Sequence, residues 1–228
     1  MNDTTGRVQP RFDLVIFDCD GTLMDSLEGI WMTVNLAMQA QNMAKRFDRH
    51  EVAGIVGLSL ETAFSHLLPR ASDDLCRTMA LAYKQEFRKS TLTGMPEAPL
   101  FPGVESTIKQ LHQAGLVLGV ATGKSLAGLQ RSLKAHSLEP YFTFCQTADS
   151  APSKPHPAMI THILDQSGLS PDRTLMVGDT DFDIIMGKNA GVKTCAVTFG
   201  CHSRKRLEKA MPDFWIDRMT ELPVILGP

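Results

Sequence analysis

The sequence predicts an α/β protein, a Rossmann-like parallel sheet core with an inserted all-helical unit. Three observations predict it. Short, wholly apolar runs recur along the chain, helical patterns closed by glycine alternate with them, and the stretch from Ser26 to about Thr91 holds no convincing strand.

The first run, Leu14-Val15-Ile16-Phe17, has no polar residue on either face, which is the pattern of a strand covered on both sides in a parallel sheet. Similar runs predict strands at Leu116 to Ala121, Phe142 to Cys145, Thr174 to Val177, Thr194 to Val197 and Phe214 to Ile216. Between them, Val104, Ile108 and Leu111 repeat at helical spacing before Gly115, and Leu126, Leu129 and Leu133 do the same. Ile160, Ile163 and Leu164 end at Gly168, and the pattern from Ile184 to Ala190 ends at Gly191. In the strand-free stretch, Leu27, Ile30, Trp31, Val34 and Met38 recur at helical spacing. Asp48 precedes Glu51 in a capping-box pattern, and Ser72 is placed to cap a helix through Leu75, Met79 and Phe87. Gly94-Met95-Pro96-Glu97-Ala98-Pro99 is rich in helix breakers and reads as the return linker. Residues 1–24 and 96–228 are thus expected to form the core, and residues 25–95 the insertion.

With 228 residues, 43% of them hydrophobic and 21% charged, the chain can bury a substantial core. Its 23 Lys and Arg nearly balance 25 Asp and Glu, so no whole-molecule field draws nucleic acid or an anionic membrane. Cys19, Cys76, Cys145, Cys195 and Cys201 are scattered, without a CxxC or zinc-spaced cluster, which predicts a reducing, cytoplasmic setting. No run approaches the ~18 apolar residues of a membrane span, and the opening MNDTTGRVQPR lacks the apolar stretch of a signal peptide. No heptad pattern or exposed apolar strand indicates an oligomeric state.

Asp18 and Asp20 follow the first strand in FDCDGT, and residues two apart on an extended backbone point to the same face. Gly21 and Thr22 then turn the chain, placing both carboxylates at the carboxyl edge of the sheet, where open α/β proteins bind ligands. The strand Leu175-Met176-Val177 ends likewise, in Gly178-Asp179-Thr180-Asp181-Phe182-Asp183. If the two strands are neighbours, several carboxylates converge, and like charges so close need a counter-charge. A hard divalent cation such as Mg²⁺ suits oxygen ligands of this kind. The competing reading makes Asp179, Asp181 or Asp183 an N-cap of the next helix.

Thr122 and Gly123 open a helix N-terminus after the second strand, a natural anion site. GVATGKS is not a nucleotide P-loop, because Leu118 stands where that motif requires glycine. Lys154, stiffened by flanking prolines in PSKPHP, is a candidate phosphate clamp. His156 is assigned to loop structure, Cys19 to the core, and Arg204-Lys205-Arg206 to a solvated helix face.

In order, FDCDGTLMDS, VATGK, SKPHP and GDTDFD resemble the four motifs of the haloacid dehalogenase superfamily, specifically its phosphoglycolate phosphatase-like members. The resemblance spans nearly the whole chain and makes the insertion similar to that family's helical cap. It implies that Asp18 is the nucleophile forming an aspartyl-phosphate and that Asp20 is the general acid and base. It further implies that Thr122 and Lys154 hold the phosphoryl oxygens, beside the phosphate contact that the helix N-terminus predicts for Thr122 and Gly123. Mg²⁺ would be held by Asp18, the Asp20 backbone carbonyl and Asp179, with Asp183 in support. Two departures stand out: Gly123-Lys124 follows Thr122 where many relatives carry Asn, and Asp181 adds a carboxylate to the fourth motif, with an expected effect on phosphate contacts or metal affinity. The expected function is a Mg²⁺-dependent phosphatase acting on a small phosphorylated metabolite. The alternatives are a phosphotransferase or mutase of the β-phosphoglucomutase type, or a pyrophosphatase. Arg46, Arg49, His50 and the Gly57-Leu58-Ser59-Leu60 segment are candidates to face the substrate, with an orientation the sequence leaves open.

Overall fold

In the first strand, β1 (Leu14–Phe17), side-chain alternation sets the layers of the molecule: Val15 and Phe17 pack into one hydrophobic cluster, Leu14 and Ile16 into another on the opposite face. All four are fully buried, which is why the run carries no polar residue. In the computed structural model of the protein, residues 11–227 are described, so the reading of Met1 to Pro10 as lacking a signal segment falls outside the described residues.

β1 lies in a six-stranded sheet with β2 (Val117–Thr122), β3 (Phe144–Thr147), β4 (Thr174–Gly178), β5 (Lys193–Val197) and β6 (Phe214–Ile216). Every pairing is parallel and the order is β3-β2-β1-β4-β5-β6. The chain runs outward from β1 through β2 to β3, then crosses back to the other side of β1 for β4. β1 is therefore the topological switch point, where the crevice of such a sheet opens.

Two strands start later than their apolar runs suggest. Leu116 is used to close the preceding helix, its N–H donating to Leu111 O at 3.2 Å. Pro140 lies in a 3-10 turn over Glu139–Tyr141 that turns Phe142 into the core against Phe17, so pairing with β2 begins only at Phe144.

The first face of the sheet is covered by α5 (Val104–Gln113), α6 (Leu126–Ala135) and α10 (Leu222–Leu226). The second is covered by α7 (Ala158–Ser167) and α8 (Asp181–Asn189), with α9 (Arg204–Ala210) packed against α8. Between β1 and α5 lie α1 (Leu27–Ala40), α2 (Arg49–Ala53), α3 (Leu60–Leu67) and α4 (Asp73–Leu92). These helices enclose a cluster of their own that includes Met38, Phe47, Val52, Phe64 and Met79, and one member, Phe182, comes from α8.

Local chemistry explains where the inserted helices start. Asp48 accepts from Glu51 N at 2.8 Å while its own N–H donates to the Glu51 carboxylate at 2.9 Å, a complete capping box. Ser72 Oγ accepts from Leu75 N at 3.2 Å and opens α4. The two chain crossings run side by side, with Asp25 N donating to Pro99 O at 2.9 Å and Phe101 N to Leu23 O at 3.1 Å. No helix among the described residues is long and apolar enough to cross a membrane.

Candidate active site

Because β1 and β4 are neighbours in register, Phe17 opposite Val177, the residues that follow them leave the sheet together. Asp18 N still donates to Val177 O at 3.0 Å, and the next turn brings Asp179 alongside. One carboxylate oxygen from each of Asp18, Asp179 and Asp183 falls within 4.8 Å of the others, and all three residues are buried. Lys154, whose side chain is also fully buried, lies 2.7 Å from Asp18 Oδ1 and donates to Asp183 Oδ1 at 2.7 Å.

The cluster thus holds three carboxylates and one ammonium, which pairs with Asp18 and Asp183, and the proton affinities reflect the imbalance. Burial, then the Asp183 and Asp179 charges, push Asp18 well above the usual carboxylate range, against the opposing pull of Lys154. Burial and Asp183 raise Asp179 to about 6, although Cys201 N and Thr22 Oγ1 donate to its carboxylate at 2.7 and 2.8 Å. Burial alone would lower Lys154, and Asp18 and Asp183 outweigh it, holding the amine protonated.

The donor set fits a hard divalent cation: one oxygen from each of three buried carboxylates lies within reach of a common ion, and together they carry more negative charge than Lys154 offsets. The backbone wraps Asp179 tightly. Gly21, at φ +86°, and Gly200 both lie so close that a Cβ on either would collide with the Asp179 side chain.

Asp183 does two jobs at once. The N-cap of α8 is Thr180, not one of the aspartates: Thr180 Oγ1 accepts from Asp183 N at 3.3 Å. Asp183, at the third helical position, answers with Oδ2, which accepts from Thr180 N at 3.0 Å. Its other oxygen is left for Lys154.

Asp20 departs from the acidic cluster. Its carboxylate turns to Lys124, with Oδ1 2.8 Å from Nζ, so only its backbone carbonyl remains as a candidate metal ligand. Lys124 thereby gains a definite partner. Burial would lower its amine, and Asp20 outweighs burial and raises it. Thr122 is fully buried at the end of β2, its Oγ1 accepting from Lys124 N at 3.3 Å.

Asp181, the extra carboxylate of the fourth motif, lies outside the acidic cluster. Arg206 forks onto it, Nε to Oδ2 at 2.8 Å and Nη2 to Oδ1 at 3.0 Å. Burial would raise Asp181, but His202 and Arg206 outweigh it and hold the carboxyl at about 2. Arg204 and Lys205 are exposed, whereas Arg206 is engaged, so only part of the basic run is a solvated face. His156 Nδ1 accepts from Ala158 N at 3.2 Å, a loop contact, and Cys19 is buried with its thiol raised by burial.

From the inserted unit, the segment 54–59 descends on the site. A Cβ on Gly57, at φ +92°, would stand 3.8 Å from Asp18 Oδ2. A Cβ on Gly123 would stand 2.5 Å from Gly57 O and 2.6 Å from Leu58 O, so the glycine after Thr122 is what lets the segment seat. Ser59 N reaches across the cleft and donates to Ser153 Oγ at 2.9 Å. Arg46, Arg49 and His50 are exposed instead, Arg49 pairing with Glu28 at 2.7 Å.

Replacing Lys154 by Met keeps the volume and leaves Asp18 and Asp183 buried without their cation. Urea unfolding of Lys154→Met at about pH 7.5 is expected to show a loss of about 3–5 kcal/mol. Part of it should be recovered near pH 5, where Asp179 retains a proton.

A parallel sheet whose switch point gathers buried carboxylates, a lysine and a helix N-terminus defines an α/β enzyme. The model of the haloacid dehalogenase-like hydrolases matches residues 15–197. A probable phosphatase, IndB, from Dickeya dadantii is 37% identical over 92% of this chain and 91% of its own length. A phosphoglycolate phosphatase from Vibrio vulnificus is 31% identical over 94% of this chain and 96% of its own. The solved structure of a predicted phosphoglycolate phosphatase from Haemophilus somnus superposes with a TM-score of 0.84 at 24% identity, covering 95% of this chain and 99% of that one. The chain belongs to the haloacid dehalogenase-like hydrolases, and within them it is a phosphatase.

Proposed function

We propose that this phosphatase hydrolyses a small phosphate monoester in two displacements, through an aspartyl-phosphate on Asp18, with Mg²⁺ as cofactor. The observation that carries the reading is Asp18 Oδ2, buried and without a hydrogen-bond partner at the mouth of the crevice. An oxygen left free in that way is available to attack phosphorus.

In the first displacement an Asp18 oxygen bonds to phosphorus as the ester P–O bond breaks, and Asp20 gives its proton to the departing alkoxide. In the second, Asp20 takes a proton from water, the hydroxide attacks phosphorus, and the bond to Asp18 breaks to release inorganic phosphate. Thr122, the backbone at Gly123, and Lys154 hold the phosphoryl oxygens. Asp18, Asp179 and the Asp20 carbonyl would hold Mg²⁺, with Asp183 in support. When bound, the cation offsets the charge of the carboxylates and the phosphoryl group. The segment 54–59 closes over the reacting atoms and keeps bulk water out. The five free cysteines and near-neutral charge fit a cytoplasmic enzyme of metabolites rather than a nucleic-acid partner.

Phosphate release from a panel of phosphorylated metabolites, with and without Mg²⁺, tests the proposal. Metal-dependent release from a small monoester is expected. An isomerised sugar phosphate without free phosphate, or release from pyrophosphate alone, would replace it with transfer or pyrophosphate hydrolysis.

A further inference from the structure

The segment over Asp18 is held at both ends by the core. At its far end Ser59 N donates to Ser153 Oγ at 2.9 Å, and at its near end Gly54, which closes α2, accepts from Arg206 Nη1 through its carbonyl at 3.3 Å. The same guanidinium spends its other two nitrogens on Asp181 and lies over the Phe182 ring, 5.2 Å from its centroid. Phe182 belongs to the hydrophobic cluster of the inserted helices although it is carried by α8. One planar group therefore ties a core carboxylate, a core aromatic and the backbone of the insertion together, a task that its fixed fork geometry suits and a lysine does not match.

Between the two anchored ends, Ile55, Val56 and Leu58 are buried and Gly57 passes over Asp18 Oδ2. The height of that roof is consequently set by where Gly54 and Ser59 are held. An ordinary surface ion pair would contribute little. This one differs because its third donor reaches the backbone that enters the roof.

We propose that Arg206, oriented by Asp181, is a positioning residue that fixes the 54–59 segment over Asp18 and so confines the enzyme to phosphate esters with small leaving groups. The inference rests on the reading of Asp18 as the nucleophile. With Gly57 held against Asp18 Oδ2 there is little space for a leaving group, and loosening the near anchor enlarges it.

The test compares wild type with Arg206→Gln, which removes charge and fork, and Arg206→Lys, which keeps charge alone. Amide hydrogen exchange needs no turnover. Exchange at residues 55–59 is expected to quicken about tenfold in Arg206→Gln, with β1 unchanged and Arg206→Lys in between. In kinetics, KM for the smallest accepted ester is expected to rise more than kcat falls, and its preference over a bulky ester to shrink about tenfold. Asp181→Asn, which loosens the fork from the other side, is expected to reproduce both effects in weaker form and decides the matter if Arg206→Gln does not fold. Unchanged exchange at 55–59, or an equal loss of kcat on every ester, overturns the proposal. If wild type releases phosphate from no ester, the hydrolytic reading falls, and the exchange result alone decides whether Arg206 holds the segment.

Discussion

Asp18→Asn is expected to lower phosphate release by on the order of 10⁴-fold or more, while leaving the melting temperature of the metal-free protein unchanged or higher. The two halves of that result come from the same geometry. An amide is nearly the shape of a carboxylate, so the packing around Asp18 at the end of β1 is preserved. It does not supply the anionic oxygen that must bond to phosphorus. On the stability side, Asp18 is one of two buried carboxylates that share Lys154, and its carboxyl sits well above the usual range because burial and the Asp183 and Asp179 charges oppose its ionisation. Removing that charge leaves Lys154 bonded to Asp183 at 2.7 Å and relieves the repulsion. A variant that kept its activity would show that some other group attacks phosphorus. Lost activity together with a collapsed melting temperature would assign Asp18 to structure instead. The measurement therefore pairs a phosphate-release assay with thermal melting in EDTA.

Much of the frame was legible because the residues concerned answer to local rules. Leu14 to Phe17 reads as a doubly covered strand since each of its four side chains meets an apolar layer. Asp18 and Asp179 read as a converging pair because each directly follows such a strand, and their meeting required only that β1 and β4 be neighbours, as they are. The capping box at Asp48 and the cap at Ser72 depend on residues three apart, which the sequence displays.

What escaped depends on contacts between distant segments. Lys124 lies beside Asp20 only because β2 and β1 end at the same sheet edge, and no spacing announces the pair. Arg206 looked like one of three solvated bases. Its partners, Asp181 and Gly54 O, come from α8 and from the end of α2. The sequence leaves the Gly57 segment without an orientation, which the bare backbone of Gly123 and Ser153 Oγ supply. A signal did exist there: the glycine directly after Thr122 leaves room for a close backbone approach.

Adding Mg²⁺ to EDTA-stripped protein is expected to raise Tm strongly near pH 7.5, only weakly near pH 5, and to restore phosphate release. The sign follows from Asp179, whose carboxyl is raised from the ordinary 3.8 to about 6 in the fold. As pH rises through this window, the unfolded chain has already given up the proton that the folded site still holds. The folded state binds more protons, so the stability of the metal-free protein falls, by a total on the order of 3 kcal/mol for a shift of this size. Asp18 is shifted in the same direction and adds to the fall. Above the window the site carries its full surplus of charge, and a cation that binds only the folded state stabilises it by mass action. Near pH 5 protons already occupy part of the site and compete with the metal. A Tm increase of equal size at both pH values would mean that Mg²⁺ binds away from Asp18, Asp179 and Asp183. Full phosphate release in excess EDTA would remove the cation from the mechanism, and would leave Lys154, the sole cation on the acidic cluster among the described residues, to neutralise that charge by itself.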